Sequence, residues 1–95
     1  MTHKITKVVW TRQARESLKS ILDYRYKEIP SARNIVRKDI IRYSKDIVFA
    51  EQYQEDEIYS QYRRIIVRDY KILYKESKSV AYILNVVCTK AAKEK

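Results

Sequence analysis

Apolar residues recur at two different spacings along the 95-residue chain, and the change of spacing divides it into elements. Ile5 to Trp10 is a short β-branched run. Behind it, Ala14, Leu18, Ile21, Leu22 and Tyr26 recur at helical spacing, with Thr11 placed to cap a helix that begins near Arg12. That helix is expected to end before Pro30, because the residue preceding a proline is driven out of the α region. Ser31 is then expected to cap a second helix with a buried stripe of Ala32, Val36, Ile40, Tyr43 and Ile47, and with Ile35 at its margin. A tight proline turn makes the two helices an antiparallel hairpin.

From Tyr62 the spacing falls to two. Arg63, Ile65 and Val67 alternate with Tyr62, Arg64, Ile66 and Arg68, and Tyr70, Ile72 and Tyr74 alternate with Lys71, Leu73 and Lys75, which is strand periodicity. Residues 48–61 carry Glu51, Glu55, Asp56 and Glu57 and connect the helices to these strands. Glu76 to Ser79 forms a polar turn, and Val80 to Val87 is a nearly continuous apolar run, as expected of a strand covered on both faces. The tail from Thr89 to Lys95 is small and basic. No repeat or linker interrupts the chain, so residues 1–95 form one domain in the order strand, helix, helix, strand, strand, strand.

Charge separates the two halves. Twenty-one Lys and Arg against 12 Asp and Glu give a net charge of +9 and a pI near 9.7. Residues 1–60 carry 12 basic and nine acidic groups, a net +3, whereas residues 61–95 carry nine basic and three acidic groups, a net +6. A basic, tyrosine-rich pair of strands suits RNA or an acidic partner. Arg33, Arg37, Lys38, Arg42 and Lys45 lie largely outside the buried stripe of the second helix, as a solvated face that would also meet phosphates in an RNA-binding protein.

The remaining chemistry is sparse. One Cys and one His exclude an internal disulfide and an ordinary structural zinc site; no cofactor or metal is called for, and a reducing cytoplasm is the expected compartment. Met1 leads into Thr2, His3 and Lys4 with no apolar leader, and no run of about eighteen apolar residues could span a membrane. His3 is expected to be disordered and Cys88 to act as a small buried apolar residue.

Trp10-Thr11-Arg12-Gln13-Ala14 at the strand-to-helix junction, Ile21-Leu22-Asp23-Tyr24, Pro30-Ser31-Ala32, and above all Tyr62-Arg63-Arg64 followed by Tyr70-Lys71-Ile72-Leu73-Tyr74 together resemble the RelE/ParE superfamily of type II toxins. The resemblance covers nearly the whole chain. It implies an α+β fold: an N-terminal strand, a helical hairpin, then a three-stranded antiparallel meander forming a twisted sheet packed on the helices. It also implies a cytoplasmic bacterial or archaeal toxin, of a kind tied to plasmid stabilization, that is neutralised by a cognate antitoxin; a homodimer is allowed. The implied target is either the ribosome with its mRNA, cut by RelE-like endoribonucleases, or DNA gyrase, inhibited by ParE-like members without a nuclease site.

Metal-free RNA cleavage needs a base for the 2′-hydroxyl, cations for the charge developing on phosphate, and an acid for the leaving oxygen. By resemblance, Arg64, Arg68, Lys71 and Lys90 would be the catalytic cations. Lys90 matches the family in position, but Ala91 and Ala92 replace the polar residues expected beyond it, and no His or Tyr follows Tyr82, so a terminal acid or base is missing. Glu51, Glu55 and Glu57 remain as loop bases. This favours a ParE-like toxin or a weakened nuclease, with a non-toxic basic binding module as the remaining alternative. Arg63 and Arg64 also read as ion-paired structural residues, and Tyr70 and Tyr74 as core. At Arg68-Asp69, where relatives often place Gly before Asn or Asp, Arg enters the left-handed region less readily than Asp, so a wider turn is expected.

Overall fold

The computed structural model describes residues 3–89. Its elements are β1 (Lys7–Trp10), α1 (Arg12–Arg25), α2 (Pro30–Lys45), a short 3₁₀ turn (Ala50–Gln52), β2 (Arg63–Val67), β3 (Tyr70–Ser77) and β4 (Val80–Cys88). The sheet order is β1-β4-β3-β2. β4 runs parallel to β1 and antiparallel to β3, and β3 is antiparallel to β2. This is the expected α+β arrangement of a helical hairpin followed by a meander.

Each boundary has a local cause. Thr11 caps α1, its Oγ1 accepting from the Ala14 N–H at 3.2 Å, and the same hydroxyl donates to the Ile83 carbonyl at 2.8 Å. One side chain thus starts the helix and fixes it to β4. At the second helix the cap differs from expectation: Pro30 occupies the first helical position, Ile29 stands at the cap without a side-chain bond, and Ser31 lies inside the helix. Proline needs no partner for a missing N–H and brings a helical φ, so it replaces the capping serine.

Ala14, Leu18 and Leu22 of α1 and Val36 and Ile40 of α2 pack on one face of the sheet, against Ile65, Val67, Tyr70, Ile72, Tyr74, Ala81, Ile83 and Val86. In α2 the predicted stripe is corrected at its end. Tyr43 is exposed and Ser44 is buried, continuing the spacing of Val36 and Ile40 by four. Ser44 Oγ accepts from Trp10 Nε1 at 3.0 Å and donates to the Ile41 carbonyl at 2.7 Å, so a buried hydroxyl stays satisfied. Ile47 is buried as expected, but beyond the helix, which ends at Lys45.

β4 also departs from its reading as a strand covered on both faces. Tyr82 is exposed, and Ala81, Ile83 and Val86 point into the core. Leu73 pairs with Asn85 and Tyr74 with Ile83, so Leu84 is an extra residue that shifts the inward phase by one. An apolar run hides this bulge because its residues, Asn85 apart, look equally fit for the core.

A chain without glycine must turn its hairpins on other residues. Val67 pairs directly with Tyr70, so the β2–β3 connection is the two-residue Arg68-Asp69 turn and not a wider one, and Arg68 takes the positive φ of 55°. The β3–β4 turn places Lys78 and Ser79 at φ 52° and 68°, the two positive angles of a hairpin turn that matches strand twist. Left-handed backbone costs an L-residue roughly 1 kcal/mol. Ser79→Gly should therefore raise stability by about 1 kcal/mol in urea denaturation, and Ser79→Val should lower it, since a β-branched residue tolerates positive φ least.

Candidate functional site

Arg64 and Lys71 are brought to one face of the sheet by register: Arg64 lies opposite Leu73 and Ile66 opposite Lys71. This face turns away from the helices. Leu73 is buried on it yet stands outside the main core cluster, because the connection from α2 folds back along β2. The Gln54 carbonyl accepts from the Arg64 N–H at 3.0 Å, and the Asp56 N–H donates to the Tyr62 carbonyl at 2.9 Å.

At the centre of this loop is Asp56, whose side chain is fully buried. Its Oδ2 accepts from the Ile58 and Tyr59 N–H groups at 3.0 and 2.9 Å. Its Oδ1 lies 2.8 Å from Lys71 Nζ and 3.6 Å from Arg64 Nη1. Burial by itself would raise the Asp56 pKa, but the Lys71 ammonium and the Tyr59 and Ile58 donors outweigh it and hold the carboxyl at about 2. Arg64 is further engaged by Gln54 Oε1 at 3.1 Å and by Glu57 Oε2 at 3.7 Å.

The four expected cations therefore do not form one cluster. Arg64 and Lys71 meet, but on Asp56. Arg68 turns to α2, where Nε and Nη2 both donate to Asp39 Oδ2 at 3.0 and 2.7 Å; this bond, opposed by partial burial and helped by Arg42, lowers the Asp39 pKa. Lys90 lies outside the described residues. The described chain ends at Thr89, whose N–H and Oγ1 donate to the Asp69 carbonyl at 2.8 and 3.0 Å. Arg63 points to the loop as well, with Nη1 donating to the Tyr53 carbonyl at 2.8 Å and Nη2 4.0 Å from Glu55 Oε2.

The loop carboxylates are differently placed. Glu51 accepts from the His3 N–H at 2.9 Å and pairs with its ring, so His3 is held rather than disordered. The His3 N–H and ring hydrogen bonds lower the Glu51 pKa to about 2. Glu57 is largely exposed beside Arg64. Tyr70 and Tyr74 belong to the core: the Tyr74 hydroxyl donates to the Ala50 carbonyl at 2.9 Å, and burial pushes its pKa up to about 12. Burial, followed by Tyr26, likewise raises Tyr70. Cys88 is only half-buried, with Arg25 Nη1 3.1 Å from its sulfur.

Asp56 was the residue that sequence reasoning passed over. Its one signal was spacing: a carboxylate two and three residues before Ile58 and Tyr59 can cap a turn through its own backbone. As a base it is unsuited, being buried, strongly acidic and ion-paired. Beside the cluster, Tyr43, Tyr53, Gln54, Arg64 and Ile66 line an open groove of about 410 Å³, where Arg64 keeps its remaining exposure.

No family model matches the chain, and no curated protein does either. Among solved structures, the chain is similar to one described as the chromosomal ParDE TA system from P. aeruginosa, with a TM-score of 0.72 and 20% identity, over 90% of this chain and 97% of that one. The fold is RelE/ParE-like. At that identity the likeness concerns the backbone, and the helical hairpin on an open twisted sheet is what the two share. No helix among the described residues is long and apolar enough to cross a membrane.

The Asp56 carboxyl drops from an ordinary 3.8 to about 2 in the folded chain. A depressed carboxyl contributes stability that is present above its unfolded pKa and lost as pH falls through the folded one. About 2 kcal/mol should therefore disappear between about pH 5 and pH 2. Asp56→Asn should be less stable at neutral pH and show a shallower acid slope than the parent, as read by urea denaturation across that range.

Proposed function

We propose that this chain is the toxin of a type II toxin–antitoxin system, growth-inhibiting, neutralised by a cognate antitoxin, and acting in the cytoplasm by the ParE-like route against DNA gyrase. The observation that carries the toxin reading is the shared fold with a chain of a ParDE TA system over nine-tenths of this sequence. The chemistry of the sheet supports this route over RNA cleavage. Two of the four cations that an RNA cleavage site would use are held by a buried carboxylate, and a third is bound to a helix. A phosphate would have to displace these carboxylates before any transition-state charge was stabilised.

A second reading, a ribosome-dependent mRNA endoribonuclease, is favoured by one pair. Glu57 is exposed and 3.7 Å from Arg64 Nη1, an arrangement that would give a base and a cation beside the groove. A non-toxic binding module on the same scaffold is the third outcome to be separated.

Expression of the chain alone, with growth, mRNA 5′ ends and the DNA-damage response followed together, tests all three. Growth arrest with a DNA-damage response and whole mRNA is expected. Arrest with codon-phased cuts would replace the gyrase reading by the nuclease one, in which Glu57→Gln should reduce cutting about a hundredfold and Arg64→Ala with Lys90→Ala should abolish it. On the gyrase reading Glu57→Gln leaves arrest unchanged. Unimpeded growth with folded protein would overturn toxicity.

A further inference from the structure

On the helix side of the sheet, at the β2–β3 turn, lies a group of titratable side chains that neither toxin route uses. Register sets Cys88, the last residue of β4, opposite Tyr70, the first of β3. Arg25, the last residue of α1, and its cap Tyr26 reach this pair from the helix layer, and Asp69 joins from the turn.

Arg25 links the pieces. Its Nη2 donates to Asp69 Oδ2 at 3.0 Å, and its Nη1 donates to the Cys88 sulfur at 3.1 Å. The guanidinium carbon lies 5.8 Å from the centre of the Tyr70 ring. With one arm held by a carboxylate, the planar fork keeps the other on the sulfur. Packing alone calls for no such neighbour, because a thiol behaves in a core as a small apolar group.

Tyr70 adds an unused donor. Its side chain is fully buried and its hydroxyl has no hydrogen-bond partner, whereas the equally buried Tyr74 hydroxyl donates to the Ala50 carbonyl. After burial itself, the groups that act on the Tyr70 hydroxyl are Tyr26, Arg25 and Cys88, so it opens into the same cluster. A buried hydroxyl without an acceptor is costly, and an oxygen atom added to the neighbouring sulfur would supply one.

The ligand follows from these donors. Reactive cysteines are part-exposed and lie in electropositive surroundings, since the attacking species is the thiolate. Cys88 is half-buried, which admits a small molecule and keeps a bulky one out. A guanidinium N–H and a phenol O–H both seek oxygen acceptors. Among the described residues no group of three His, Cys, Asp or Glu could hold a metal ion, and the chain has one cysteine, so an internal disulfide is excluded. A small hydroperoxide fits, with one electrophilic oxygen for the sulfur and a second for the guanidinium.

We propose that Cys88 is a peroxide-reactive thiol whose sulfenic acid is held by Arg25 and Tyr70. The thiolate attacks one oxygen of the hydroperoxide, and the S–O bond forms as the O–O bond breaks. The electron pair leaves with the distal oxygen, which Arg25 Nη1 steadies and which takes a proton from solvent to depart as water or an alcohol. Sulfur is oxidised by two electrons and the peroxide is reduced by the same two. The new oxygen then accepts from Arg25 and from the Tyr70 hydroxyl, which slows its passage to the sulfinic acid. Nothing in this chemistry requires a toxin target or an antitoxin, so it stands apart from the toxin reading.

The test treats the full chain with hydrogen peroxide in the presence of dimedone, which traps sulfenic acid, and follows the adduct by intact mass. The folded chain should be trapped at least about tenfold faster than the same chain in urea, where the thiol is present and the cluster is not. Arg25→Gln should remove most of that difference. Tyr70→Phe keeps the ring in the core and should shorten the lifetime of the sulfenic acid about fivefold, read by delayed addition of dimedone, with a melting temperature no lower than the parent's. The comparison with urea needs no variant, so it decides even where a variant fails to fold. A folded chain that reacts no faster than the unfolded one overturns the proposal. So does a folded Arg25→Gln that reacts like the parent, or a lifetime indifferent to Tyr70→Phe.

Discussion

One buried carboxylate organises the outer side of this sheet. A charge withdrawn from water costs several kcal/mol unless hydrogen bonds and an opposite charge replace the lost hydration. Asp56 has two backbone N–H donors, an ammonium and a guanidinium arranged around it. Those donors come from three different pieces of the chain: the loop's own turn, β2 and β3. Satisfying Asp56 thus requires the loop to lie on the sheet, which in turn covers Leu73 and bridges Glu55 to Arg63.

This constraint changes where the chain's positive charge is available. Residues 61–95 hold most of the net charge, yet Arg63, Arg64, Lys71 and Arg68 all face carboxylates. The unpaired cations among the described residues include Arg37, Lys38 and Lys45 on α2. Four cations of the half that is richer in charge are neutralised on β2, β3 and the turn between them, and the half that is closer to balance carries exposed basic residues along α2. Net charge belongs to sequence, whereas its accessible part depends on pairing.

The lack of glycine adds a second coupling. Arg68 occupies a left-handed position at the β2–β3 turn and is held there by a two-donor contact to Asp39. The hairpin tip is thereby tied to α2, while Thr89 ties the end of β4 to the same turn through the Asp69 carbonyl. A residue that is costly in its backbone conformation is also one whose side chain links two layers, so strain and tertiary contact are offset at one position.

The fold was largely legible in the residues themselves. Thr11, Pro30, the four-residue spacing of Ala14, Leu18 and Leu22, and the alternation through Ile65, Val67, Ile72 and Tyr74 are local signals, and each element they predict is formed, because periodicity and capping act within a few residues. Legibility failed where one residue's role depends on another far away. Ser44 is buried because Trp10 supplies a donor, the Leu84 bulge exists because β3 pairs in a shifted register, and Asp56 is central because Lys71 and Arg64 reach it across the sheet. The candidate site shows the same division. The sequence by itself determined which cations and carboxylates the chain possesses and on which strands and loops they lie; only the tertiary structure decided which of them neutralise one another, since an ion pair is a property of distance in space and burial, neither of which local spacing contains.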